Sequence, residues 1–131
     1  MIGLDSNILI RHFVQHDPIQ SAKATHIIER QLREENPSSV STVATAETVW
    51  VLERAYGLSD STIAAVIERT LQIDALVIEN EHQVFTAMVA LSEGRGSFAD
   101  ALIGALGAKA GCLHTLTFDR KALRLPEFAM P

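Results

Sequence analysis

The chain has a single cysteine, Cys112, so no internal disulfide forms and nothing calls for an oxidising compartment. Within Gly111-Cys112-Leu113 it reads as a small buried hydrophobe. No cysteine or histidine cluster has ligand spacing, which removes zinc from consideration. Basic residues are in deficit, 11 Lys and Arg against 16 Asp and Glu, for a formal charge of -5. That argues against a generic nucleic-acid coat, which relies on surplus cations. It leaves room for a nuclease, because a bound divalent cation reverses the local sign. No run approaches a membrane span, and Asp5 interrupts the amino-terminal apolar stretch before it resembles a signal peptide, so a cytoplasmic setting is expected. Gly94 and Gly96 lack the strand-turn pattern of a phosphate loop or dinucleotide fingerprint.

What the chain does have is apolar residues, 47% of 131, enough for one core and one domain spanning residues 1–131. Met1 to Leu4 reads as a strand, and Ile8, Leu9, Ile10, Phe13 and Val14 as the apolar side of a helix. Asp17-Pro18 starts a second helix on Ala22, Thr25, Ile28 and Leu32, running to Glu35 before Asn36-Pro37 stops it. Ser38 to Ser41 is a short strand, and Thr42 opens a helix whose Val43, Ala46, Val49 and Trp50 point towards packing. Helices follow from Ser59 or Asp60 and from Glu81, with a strand at Ile73 to Ile78 between them. Phe98-Ala99-Asp100 begins another helix, in which Gly104 and Gly107 imply close approach to a neighbouring element. Gly111 to Leu116 and Phe128 to Met130 complete the strands. This alternation predicts an α/β fold with a mostly parallel sheet covered on both faces.

Four acids recur at element ends: Asp5 and Asp119 after strands, Asp100 in a first helical turn and Glu47 in a second. Taken alone, Asp5, Ser6 or Asn7 reads as readily as a cap for the next helix. Together, the four suggest one acidic pocket at the carboxyl ends of neighbouring parallel strands. Like charges gathered there oppose ionisation, whereas a hard cation stabilises it; Mg²⁺ suits an all-oxygen site, and Mn²⁺ could substitute. Such a centre hydrolyses a phosphodiester through activated water. A glycosidase pair would leave two acids unexplained, and one Trp and one Tyr offer little sugar-stacking surface.

Leu4-Asp5-Ser6-Asn7, Thr45-Ala46-Glu47, Phe98-Ala99-Asp100-Ala101 and Thr115-Leu116-Thr117-Phe118-Asp119, in this order, resemble the PIN-domain family, and within it the VapC-type toxins. The resemblance implies a PIN-like three-layer α/β/α sandwich and a Mg²⁺-dependent endoribonuclease of a toxin-antitoxin pair. It implies Asp5, Asp100 and Asp119 as the main metal acids and Glu47 as the fourth. Ser6 and Thr117 resemble the supporting hydroxyl residues, and Asn7 a buttress of the first loop. It further implies an RNA substrate, a cognate VapB-like antitoxin and a homodimer.

Arg11, Arg120 and Lys121 lie near the expected pocket and either contact RNA phosphate or form ordinary charged surface. His114, inside a strand, reads as a satisfied core or edge histidine. The alternatives are a structure-specific DNA nuclease, disfavoured by the lack of a basic arm, and a non-catalytic domain that binds RNA or protein.

Overall fold

The computed structural model describes residues 1–131 apart from residues 32 and 34. Its elements are β1 (Ile2–Gly3), α1 (Ser6–Phe13), α2 (Pro18–His26), a π-helical segment (Ile27–Gln31), β2 (Ser38–Val40), α3 (Thr42–Arg54), α4 (Asp60–Leu71), β3 (Leu76–Ile78), α5 (Glu81–Ser92), α6 (Phe98–Lys109), β4 (Thr115–Leu116), a 3₁₀ turn (Ala122–Arg124) and β5 (Phe128–Ala129). They form a three-layer α/β/α sandwich around a parallel sheet. Leu32, expected on the second helix, lies outside the described residues.

Helix starts follow side-chain chemistry. Ser41, Ser59 and Ser97 accept from the backbone N–H groups of Ala44, Thr62 and Asp100, and Asp17 accepts from Gln20 with Pro18 in the first turn. Each bond satisfies a donor that the opening turn leaves without an intrahelical acceptor. Ser41 rather than Thr42 therefore caps α3. The second helix, expected to run to Glu35, changes to π geometry over Ile27–Gln31.

β2 lies between β1 and β3, with all pairings parallel: Ile2 opposite Ser38 and Val40 opposite Ile78. Val40 is fully buried and joins a core of Leu9, Leu52, Ile63, Val84 and Phe98. β4 and β5 form a separate parallel pair, with Thr115 opposite Phe128. β1 and β4 are therefore not paired, unlike the arrangement expected to bring Asp5 beside Asp119. The apolar run before β4 is not a strand: Cys112 and His114 are exposed, and Leu113 is 88% exposed.

The small pair is fastened to α6 through its glycines. A Cβ at Gly107 would lie 2.5 Å from Thr115 Oγ1, and one at Gly104 would lie 3.0 Å from Glu127 Cβ and Phe128 Cε2. The missing side chains permit this approach, which offsets their poor helix propensity.

Candidate functional site

The carboxyl ends of β1 and β2 bring together the first group of residues. Asp5 occupies the cap position of α1 in an extended conformation, yet its side chain makes no cap hydrogen bond and is exposed. The next residue, Ser6, is fully buried, and its hydroxyl donates to Glu47 Oε1 at 2.5 Å. Glu47 reaches it from the second turn of α3 because helical side chains lean towards the amino terminus. Asn7 is exposed on the first turn of α1.

A second polar group closes the far side of these strand ends. Glu79 Oε1 accepts from the Thr42 N–H at 2.9 Å, which holds its carboxyl below the ordinary carboxylate value. Asn80, in the left-handed region at φ 57°, donates to Thr42 Oγ1 and accepts from the Lys109 ammonium. No local sequence signal marks this network, because it links residues 37 and 38 positions apart along the chain.

Asp100 is elsewhere. It lines a cavity of about 260 Å³ together with Glu53, Asp60, Phe98, Lys121 and Arg124. α6 brings Lys109 to Asn80, and Asp100 precedes Lys109 by about 13 Å along the same helix axis. On α3, Glu53 lies about 9 Å along the axis from Glu47. Among the described residues the one ion pair, Arg95 with Glu93, touches neither group. Arg124 Nη2 instead donates to Gly94 O at 3.1 Å.

Asp119 caps its own turn: Oδ1 accepts from Lys121 N at 2.9 Å, while Thr117 Oγ1 accepts from Asp119 N at 3.0 Å. Of the expected RNA-contacting cations, Arg120 and Lys121 are exposed. Arg11 is half-buried, with Nε donating to Gln20 and Nη1 to Tyr56. Trp50, expected to pack inward, is 59% exposed.

These placements correct the metal expectation. Among the described residues no three His, Cys, Asp or Glu side chains are grouped to hold an ion. That finding overturns the four-carboxylate centre of Asp5, Glu47, Asp100 and Asp119, its Mg²⁺ or Mn²⁺ occupant, and the metal-dependent endoribonuclease built on it. The physical reason is how the acids are distributed: Glu47 is bonded to Ser6 at the β1–β2 ends, Asp100 lines a cavity whose walls include neither Asp5 nor Glu47, and Asp119 follows a strand that does not pair with β1. Among the described residues the donor set does not fit a cation.

The fold with its acids at strand ends defines a nuclease-like α/β domain. The family model of the PIN domain matches residues 2–127, and the chain belongs to that family. No curated protein matches it. Among the described residues no helix is long and apolar enough to cross a membrane.

Proposed function

We propose that the chain is a nuclease-like PIN domain of VapC type, a single domain over residues 1–131, with single-stranded RNA as its ligand. The observation that carries this reading is the part-buried Ser6–Glu47 contact at the β1–β2 carboxyl ends, within a family match covering nearly the whole chain. Ligands of open parallel sheets gather at that edge. Asp5 and Glu47 would accept from ribose hydroxyls or base amino groups of the RNA there rather than meet its phosphates, beside Asn7, with Ser6 and Thr117 shaping the loops. Arg120 and Lys121 would supply phosphate contacts beside Asp100 and Asp119. A VapB-like antitoxin, homodimerisation and a cytoplasmic setting belong to the same reading.

The test is binding of end-labelled single-stranded RNA against DNA of identical sequence, with strand integrity followed on a denaturing gel. Preferential RNA binding that weakens in an Arg120→Ala, Lys121→Ala variant is expected. Equal RNA and DNA binding, or none, would end the proposal.

A further inference from the structure

On α3 the residues Val43, Glu47, Trp50 and Arg54 recur at helical spacing along one row, and all four are exposed. Val43 is 75% and Trp50 59% exposed, unusual for an indole in a chain with a well-filled core. The middle of the row carries the Glu47 carboxylate that Ser6 holds. One turn beyond Trp50, the guanidinium of Arg54 belongs to no ion pair among the described residues.

We infer that Trp50 is a stacking platform for one unpaired base of an RNA strand, with Arg54 taking an adjacent phosphate. This rests on the RNA reading above and adds a named binding residue to it. An indole face accepts any base, and single-stranded RNA presents bases free to stack. Arg54 supplies charge complementarity to the phosphate that accompanies each base. The indole face, on the order of 150 Å², matches a single nucleobase in extent.

Trp50 is the chain's only tryptophan, so its emission reports on this face alone. The wild-type protein is titrated with an unlabelled single-stranded RNA and with an abasic strand of equal length. Stacking predicts quenching by the first and little change with the second. Anisotropy of end-labelled RNA then compares Trp50→Phe with Trp50→Ala, circular dichroism confirming that both fold. Trp50→Phe should bind nearly as wild type, and Trp50→Ala roughly ten- to a hundredfold more weakly. RNA binding with unchanged emission and undiminished affinity in Trp50→Ala overturns the stacking role while leaving the RNA reading intact. Failure of the wild type to bind RNA defeats both. Emission that shifts with protein concentration in the absence of RNA assigns the face to a second copy and also overturns the inference.

Discussion

The Ser6 hydroxyl and the Glu47 carboxylate meet at 2.5 Å although 41 residues separate them in sequence. The two partners are unequal: Ser6 is fully buried, while Glu47 is exposed. Removing one is therefore not equivalent to removing the other.

In Glu47→Ala the Ser6 hydroxyl keeps its burial and loses its acceptor, a loss of about 1–3 kcal/mol. In Ser6→Ala the carboxylate regains water, and the expected loss is smaller, about 0.5–1.5 kcal/mol. Urea unfolding of both variants measures the order. Ser6→Ala emerging as the more damaging change would mean that the hydroxyl has another acceptor.

Gly107 tests how β4 is held. Alanine there would gain about 1 kcal/mol of helix propensity but would meet Thr115 Oγ1 at 2.5 Å. Overpacking typically costs about 1–3 kcal/mol, so net destabilisation is expected in Gly107→Ala. Adding Thr115→Ala removes the obstructing oxygen and should recover most of the loss. If thermal unfolding shows simple additivity, the two positions are not in contact.

The close approach at Gly107 was legible in the sequence, because two glycines inside an apolar helix need a packing reason. The strand-helix alternation was equally legible, since Leu9, Ile10 and Val49 fall on the buried sides of their helices. The run from Gly111 was not. Cys112 and Leu113 look like a buried parallel strand, but such a strand needs neighbours and cover, and β4 pairs with β5 alone. Trp50 was misplaced for a related reason: periodicity identifies a helical row without saying whether anything lies against it. The acids were found individually, but their grouping assumed adjacent β1 and β4, a long-range pairing that no local pattern encodes.

His12 gives the fold a pH dependence. Burial of the ring disfavours the imidazolium and lowers its pKa from the ordinary 6.5; Glu29 opposes this, and Arg69 adds to it. The unfolded chain therefore binds the proton more readily. The contribution is fully present above pH 6.5 and is lost as pH falls through the lower folded-state value. His12→Gln should flatten the stability profile on the acid side of 6.5. Urea midpoints across a pH series provide the measurement, and a slope unchanged from wild type would show that another group titrates.

The lack of a grouped carboxylate site among the described residues has an energetic signature. Side chains that share a pocket couple by about 0.5–3 kcal/mol, whereas distant ones add to within about 0.5 kcal/mol. Asp100 lines the cavity with Asp60 and Arg124, and Glu47 is bonded to Ser6 at the strand ends. Glu47→Gln and Asp100→Asn should therefore act independently on unfolding free energy, the double variant equalling the sum. Neutralising both members of a crowded acidic pair would instead relieve the same repulsion twice over in the single variants, and the double would fall short of the sum. A shortfall above about 0.5 kcal/mol would place the two carboxylates in one pocket after all.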